Sequence, residues 1–197
     1  MAVIKSLCVF CGASDAVDPA YRDAATHLGT LMAAAGIELV FGGGRIGLMG
    51  LLATAVIRGG GRVTGFIPRH LHQLEVGSRQ PLGELHVVET MHERKALMFD
   101  RSDAVAVLPG GLGTLDETFE VLTWKQLGLH DKPIVIVDVL DYWAPLLHQI
   151  ETIIASGFAP RSSLQLMRVV KTADEVLPLL ATLPEPRLNP PDRFSLT

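Results

Sequence analysis

A glycine-rich loop, Pro109 to Thr114, follows a short apolar run directly in the sequence. Because Gly110, Gly111 and Gly113 have no side chains, successive backbone N–H groups of the loop can converge on an anion. The hydroxyl of Thr114 can add a further donor. The loop does not match the G-x-x-x-x-G-K-[ST] motif, which excludes an ATPase phosphate loop. The sequence therefore predicts an anion-binding loop of a different kind.

One carboxylate, Glu117, follows this loop within a single helical turn. Its spacing from Thr114 is that of a capping box, in which Glu117 would only bind the backbone N–H of the residue that caps the helix. Alternatively, the carboxylate takes part in the chemistry of a ligand held by the loop. The spacing alone leaves both interpretations open.

Two adjacent cations, Arg94 and Lys95, stand at the start of a predicted helix, in the segment Met-His-Glu-Arg-Lys. Cations at a helix N-terminus oppose the helix dipole, at a cost on the order of a few tenths of a kcal/mol. Such an unfavourable placement indicates an anionic partner. The alternative is a solvated charged face on which Glu93 is the neighbouring counter-charge.

A second glycine motif, Gly42-x-Gly44-x-x-Gly47, has the spacing of the dinucleotide-binding fingerprint. That fingerprint also requires an acidic residue at the end of the next strand, where it binds the ribose. No Asp or Glu stands between Met49 and Leu74. NAD binding is therefore disfavoured, and a generic anion site or a tight strand-to-helix turn explains these glycines better.

The two cysteines, Cys8 and Cys11, are spaced as C-x-x-C but lack the context of a functional pair. On a strand, residues three apart point to opposite faces, and no second cysteine pair or nearby histidine completes a zinc site. A redox C-x-x-C should open a helix, whereas this one leads into Gly12. We expect buried, inert thiols and no metal ion.

The elements that must position these residues alternate between short apolar runs and longer amphipathic ones. Strands are predicted at 6–10, 37–41, 62–67, 85–89, 104–108, 133–137 and 168–170, and helices at 19–35, 48–57, 91–101, 115–127, 142–155 and 173–180. A polar, histidine-containing loop is predicted between the third and fourth strands. This alternation predicts an α/β fold, a Rossmann-like doubly wound parallel sheet with helices on both faces. Ligands bind such sheets beyond the carboxyl ends of the strands, where both glycine loops fall.

Length and composition limit the classes of protein that the chain can belong to. With 197 residues, of which 48% are hydrophobic and 19% charged, the chain suits one folded domain, and a largely disordered chain is excluded. The net charge of −4 argues against a nucleic acid polymer as partner. The longest uncharged stretch, 24–37, falls short of the ~18 apolar residues of a membrane span. We expect a soluble, cytoplasmic protein with no membrane partner, organised as a domain over 1–183 and a Pro-rich tail over 184–197.

Taken together, the motifs resemble one family closely. The Met-His-Glu-Arg-Lys segment at 91–95, followed by Pro-Gly-Gly-x-Gly-Thr-x-x-Glu at 109–117, is the paired signature of the LONELY GUY (LOG) family. Its members are cytokinin riboside 5′-monophosphate phosphoribohydrolases, often mislabelled lysine decarboxylases. Similar segments extend from Cys8–Gly12 through the first glycine motif to the Thr-Trp-Lys-Gln-Leu-Gly run at 123–128, so the resemblance covers most of residues 6–170.

This resemblance implies that Arg94 and Glu117 are the catalytic residues. The phosphate-binding loop would comprise Gly110, Gly111, Leu112, Gly113 and Thr114. Further substrate contacts are implied at Gly43, Gly44, Lys95 and Thr123. Plant members carry a glutamate soon after the Pro-Arg pair at 68–69, where this chain has His70, so the choice among purine bases is not predicted.

The implied reaction is hydrolysis of the N-glycosidic bond of a purine riboside 5′-monophosphate, which releases the free base and ribose 5-phosphate. Because this cleavage builds positive charge on the sugar, a carboxylate near the anomeric carbon would stabilise that charge or activate water. No metal or redox cofactor is expected, and a homodimer with the active site near the interface is implied. Two alternatives stay open: a general AMP nucleosidase of purine salvage, and a catalytically silent nucleotide-binding sensor.

Overall fold

The computed structural model describes residues 4–183, so the predicted Pro-rich tail lies outside the described residues. Seven parallel strands form one sheet in the order β4-β3-β2-β1-β5-β6-β7. The strands are β1 Ser6–Phe10, β2 Glu38–Phe41, β3 Val63–Pro68, β4 Glu84–Val88, β5 Ala104–Val107, β6 Ile134–Val137 and β7 Arg168–Val170. The predicted doubly wound parallel sheet is confirmed.

Within residues 4–183 there are seven α-helices: six connect consecutive strands, and the last follows β7. They are α1 Pro19–Ala34, α2 Gly47–Arg58, α3 Arg69–Glu75, α4 Met91–Arg101, α5 Leu112–Gln126, α6 Ala144–Ala155 and α7 Val176–Thr182, with short 3₁₀ turns at Val139–Asp141, Arg161–Gln165 and Ala173–Glu175. Over the described range 4–183, no helix is long and apolar enough to cross a membrane.

The central strand β1 shows how the sheet separates two hydrophobic cores. Leu7 and Val9 pack into the core beneath α1, α2 and α7, whereas Cys8 and Phe10 pack into the core beneath α4, α5 and α6. Cys11, just past the strand, belongs to the first of these cores. The two thiols are buried on opposite faces of the sheet, and burial raises the pKa of each, so the prediction of buried thiols is confirmed and their inertness stays a prediction.

The prediction of a loop between β3 and β4 is wrong for the first part of that segment, because the seven residues Arg69–Glu75 form helix α3. No residue of α3 is buried, and the side chain of Leu74 is largely exposed. A helix without a buried face has no hydrophobic stripe, so periodicity could not reveal it. The other predicted boundaries agree with the structure to within three residues.

The strand order reverses at β1, which lies between β2 and β5, and this reversal brings three loops to one edge of the sheet. The Gly12 N–H donates to the Pro109 carbonyl at 3.0 Å, which ties the loop after β1 to the loop after β5. The Leu48 N–H donates to the Gly12 carbonyl, also at 3.0 Å, which ties in the start of α2. The two glycine loops therefore meet at the crevice where open α/β sheets bind ligands.

Candidate active site

The loop after β5 ends in the open N-terminus of α5. This fifteen-residue helix begins at Leu112, and its N-cap, Gly111, makes no side-chain capping bond. The first hydrogen bond of the helix runs from the Leu115 N–H to the Gly111 carbonyl, so the N–H groups of residues 112–114 have no partner within the helix. A Cβ added at Gly111 or Gly113 would meet no atom within 4 Å. Free donors, the helix dipole and open space together make this a site suited to an anion.

The capping-box interpretation of Glu117 is wrong. Thr114 is the third residue of α5 and not its N-cap, so Glu117 is too far along the helix to reach the capping residue. Its Oε1 instead accepts a hydrogen bond from Arg94 Nη1 at 2.8 Å. The two side chains are only 8% and 10% exposed, so they form a buried ion pair beside the anion-binding loop.

The interpretation of Arg94 and Lys95 as a solvated charged face is also wrong, because both residues are buried. Arg94 donates from Nε to the Phe66 carbonyl at 3.1 Å, in addition to its bond to Glu117, so its planar guanidinium is fixed on two sides. Its Nη2 lies against Gly42, where an added Cβ would overlap it. Position 42 requires a glycine, because the Arg94 guanidinium occupies the space that a side chain there would need.

A second carboxylate, Glu75, lies near enough to Arg94 for that charge to oppose the effect of burial on its pKa, and the sequence did not predict it. It is the last residue of α3 and is half-buried. A Cβ added at Gly44 would lie 2.5 Å from its Oε2. Glu75 is the first acidic residue after the Gly42–Gly47 motif, one position beyond Leu74, and this was the signal available in the sequence.

Burial acts on both carboxylates of the site. Burial raises the pKa of the Glu117 carboxyl, and Arg94 opposes this effect without cancelling it. Burial likewise raises the pKa of Glu75, again with partial compensation by Arg94. A carboxyl group whose pKa is raised toward neutrality is a better general acid or base at physiological pH than an ordinary one. The electrostatics of the site are therefore suited to proton transfer.

Two of the predicted contact residues are not brought to the Arg94–Glu117 pair. Lys95 Nζ is bound by the carboxylates of Asp116 at 3.0 Å and Glu120 at 3.1 Å. Burial lowers the pKa of Lys95, but these two partners outweigh burial and raise it overall. Thr123 is exposed on α5 and lies six residues after Glu117. At a rise of 1.5 Å per residue, it is about 9 Å farther along the helix axis.

The first glycine loop holds two predicted contact residues. Gly44 lies beside the Glu75 carboxylate at the site, whereas Gly43 packs against the side chain of Leu85. Gly43 has a φ of +78°, and an added Cβ would lie 2.8 Å from Leu85 Cδ1. Its conformation and packing explain the glycine without a ligand.

We expect Glu75→Gln to raise the melting temperature at pH 7.5 and to leave it nearly unchanged near pH 4. The reason is that a raised pKa in the folded protein makes the ionised form of Glu75 unfavourable to folding. Protonated Glu75 is the form that favours folding. Its contribution to the free energy of unfolding is complete at pH values below the unfolded pKa, and it is lost as pH rises through the folded pKa. The gain should not exceed ~1 kcal/mol, or roughly 3 °C, because solvent screens a half-exposed carboxylate.

Differential scanning calorimetry at the two pH values measures this effect, with the exposed Glu151→Gln on α6 as the matched control. A lower melting temperature for Glu75→Gln at pH 7.5 would show that Glu75 stabilises the fold.

Comparison with known proteins places this site in a wider context. Residues 49–180 match the protein family described as "Possible lysine decarboxylase". The chain is 44% identical over 173 residues to a cytokinin riboside 5′-monophosphate phosphoribohydrolase of Arabidopsis thaliana, a match that covers 88% of this chain and 81% of that protein. It is 43% identical over 182 residues to a protein of the same name from Oryza sativa subsp. japonica, covering 92% and 75% respectively.

Solved structures of the same shape include the molybdenum cofactor binding protein of the phototrophic bacterium Rippkaea orientalis. That match has a TM-score of 0.68 at 20% identity and covers 92% of this chain and 98% of the other. The molybdenum cofactor carrier protein of Chlamydomonas reinhardtii matches with a TM-score of 0.66 at 18% identity, over 89% and 95% of the two chains. At this identity the likeness concerns the fold alone.

Proposed function

The chain belongs to the LONELY GUY (LOG) family of cytokinin riboside 5′-monophosphate phosphoribohydrolases, and on this premise we propose that it hydrolyses the N-glycosidic bond of a purine riboside 5′-monophosphate. The products are the free base and ribose 5-phosphate. The observation that carries this proposal is the buried Arg94–Glu117 pair, which lies one helical turn from the open N-terminus of α5.

The 5′-phosphate is proposed to bind at the first turn of α5. The N–H groups of residues 112–114 and the hydroxyl of Thr114 supply the donors, and the helix dipole favours the charge. Among the described residues, Arg94 Nη2 has no hydrogen-bond partner, so it is free to contact the ribose or the phosphate. A phosphate held here places the ribose of the same nucleotide within reach of Glu117.

Glu117 is proposed to act on the anomeric carbon. As the base departs, positive charge develops on the sugar, and a carboxylate fixed nearby stabilises it or takes a proton from the attacking water. Arg94 holds Glu117 in place from the opposite helix. Because the phosphate anchors the ribose, attack by water on the bound nucleotide gains the advantage of an intramolecular reaction.

Lysine decarboxylation, the activity named in the family description, has less support. A decarboxylase that depends on pyridoxal phosphate needs a lysine amine free to form a Schiff base. Lys95 beside the site is instead held by two carboxylates, which raise its pKa and keep it protonated.

The experiment that tests this proposal compares the release of free base from AMP and from isopentenyl-AMP by the purified protein. A clear preference for the prenylated nucleotide supports a role in cytokinin activation. Equal turnover of both would indicate a general AMP nucleosidase. Tight binding of AMP without release of adenine would indicate a silent nucleotide sensor and would overturn the proposed hydrolysis.

A cytoplasmic location stays a prediction from the sequence.

We expect the protein to be a homodimer, because α5 presents apolar side chains that the protein does not cover. Three apolar side chains of α5 differ in burial: Leu122 is buried and Leu115 is partly buried in the core, but Phe119 is 39% exposed. Leu112, seven residues before Phe119 and therefore on the same helix face, is 86% exposed. An interface that covers both would border the phosphate-binding loop.

Sedimentation velocity at micromolar concentration measures the oligomeric state, and Phe119→Glu is expected to weaken the dimer. A monomer that retains full activity at that concentration would contradict the prediction.

A further inference from the structure

The loop at the start of α5 is held from outside by one tyrosine hydroxyl. Tyr142, which follows β6, donates a hydrogen bond from its hydroxyl to the Gly110 carbonyl at 2.6 Å. We propose that Tyr142 is a positioning residue, whose hydroxyl fixes the Gly110–Gly111 peptide so that the Gly111 N–H faces the substrate phosphate. This inference rests on the proposed function of the loop.

The geometry of the peptide unit gives the reason. The carbonyl of Gly110 and the N–H of Gly111 belong to one planar trans peptide, so they point in opposite directions. A bond that holds the carbonyl toward Tyr142 therefore aims the N–H away from Tyr142, toward the open side of the loop. Because both flanking residues are glycines, no Cβ hinders rotation of this peptide. A rotated peptide would present a carbonyl oxygen to the phosphate in place of a donor.

Packing does not hold the loop on the side that faces Tyr142. A cleft of about 400 Å³ lies between the loops after β1 and β5, and both Gly110 and Gly111 line it. Tyr21 and Tyr142 also line this cleft, with their rings edge to face at 5.5 Å. On its other side Gly110 packs closely against Thr114 and Gly12, so on the cleft side the hydroxyl of Tyr142 is the contact that holds the Gly110 carbonyl.

The backbone that carries Tyr142 is strained and firmly anchored. Leu140 and Asp141 have φ of 53° and 57°, in the left-handed region that residues with a side chain rarely adopt. Lys171 Nζ binds Asp138 Oδ2 at 2.7 Å and Asp141 Oδ1 at 2.5 Å, and the Trp143 N–H donates to Asp138 Oδ1 at 2.6 Å. Backbone strain persists where surrounding contacts impose it, and such positions cluster at functional sites. Here the strained turn delivers Tyr142 to the loop.

The test compares Tyr142→Phe with Tyr21→Phe. The Tyr21 hydroxyl makes no hydrogen bond within residues 4–183, so Tyr21→Phe removes the same atom from the same cleft and should match the parent. Tyr142→Phe is expected to raise the KM for AMP and the Ki of inorganic phosphate by about 10-fold or more, with a much smaller change in kcat.

If Tyr142 had only a structural role, Tyr142→Phe would lower the turnover of AMP and of adenosine alike. If Tyr142 positions the phosphate-binding loop, Tyr142→Phe leaves the turnover of adenosine unchanged. The variant Lys171→Met, which releases the anchored turn, should shift the same constants in the same direction. The double variant Tyr142→Phe/Lys171→Met should then add little, because both changes act through one contact.

Parental KM for AMP and parental Ki for phosphate in Tyr142→Phe would overturn this inference and leave the proposed hydrolysis standing. Failure of the parent protein to release base from AMP or isopentenyl-AMP would overturn the proposed function instead. In that case calorimetric titration with inorganic phosphate still decides the role of Tyr142, since equal affinity of parent and variant would refute it.

Discussion

Glu117→Gln is expected to slow the release of adenine from AMP by at least ~10²-fold, while AMP still binds. Gln has the size and shape of Glu, and its amide oxygen can still accept the hydrogen bond that Arg94 Nη1 gives to Glu117 at 2.8 Å. The substitution removes the negative charge near the sugar. That charge stabilises the transition state most, because the sugar carries its greatest positive, oxocarbenium-like charge there. Base release and AMP affinity, measured on the same preparation, separate this loss from a loss of binding.

The neighbouring carboxylate supplies the matched control. Asp116→Asn removes a carboxylate charge from the residue that precedes Glu117 in α5. Asp116 is exposed and contacts Lys95 instead of Arg94. Lys95 keeps its second partner, Glu120 at 3.1 Å, and the Asp116 carboxylate is screened by solvent, so this control should change the rate by less than about 10-fold. Parental turnover by Glu117→Gln would show that Glu117 is not catalytic.

Arg94→Lys tests the other member of the pair. Lys keeps the charge but carries all its donors on one nitrogen, so it cannot reproduce the separate bonds of Nε to the Phe66 carbonyl and of Nη1 to Glu117, and turnover should also fall.

Removal of the 5′-phosphate from the substrate is expected to lower kcat/KM by about 10²–10⁴-fold. Two hydrogen bonds to a charged phosphate contribute ~1.5–3 kcal/mol each, or ~3–6 kcal/mol together, and every 1.36 kcal/mol corresponds to about a tenfold change in rate. These donors are the free N–H groups at the first turn of α5, which adenosine cannot use. The measurement is base release from adenosine and from AMP at matched concentrations.

The variant Gly113→Asp separates phosphate binding from protein stability. Gly113 has open space around it, so an Asp side chain fits, and a carboxylate in the first turn of a helix stabilises it by about 0.3–1 kcal/mol. The same charge repels a phosphate. We therefore expect a slightly higher melting temperature together with a higher KM for AMP and no change for adenosine. Equal loss on both substrates would show that the loop does not bind the phosphate.

The role of Glu117 shows where prediction from sequence reached its limit. The spacing of Thr114 and Glu117 suits a capping box only if Thr114 is the N-cap, so the decision depends on where α5 begins. The sequence places Leu112 in the glycine loop and predicts a helix start at Leu115, and the exposed Leu112 adds no buried apolar position that would extend the helix. The helix starts at Leu112, since Gly111 can serve as N-cap without a side chain. Local spacing could not supply that information.

Other features were predictable because the physics behind them is local. Asp18 precedes Pro19, a sequence typical of a helix start, and its carboxylate accepts the Ala20 N–H at 2.9 Å at the start of α1. The alternation of β1 between two cores follows from the pleat of a strand. Glu75 could not be placed, because its position depends on α3, whose sequence has no buried face, and on its approach to Gly44 across the loop. Contacts of this kind are properties of the folded chain.

The two members of the buried pair come from opposite halves of the sheet. Arg94 follows β4 and binds the end of β3 on one side of β1, whereas Glu117 follows β5 on the other side. A chain emerging from the ribosome therefore carries Arg94 without its counter-charge until β5 has paired with β1 and α5 has docked. On the proposed mechanism the amino-terminal half lacks the catalytic carboxylate, so we expect turnover of substrate to report that both halves have assembled.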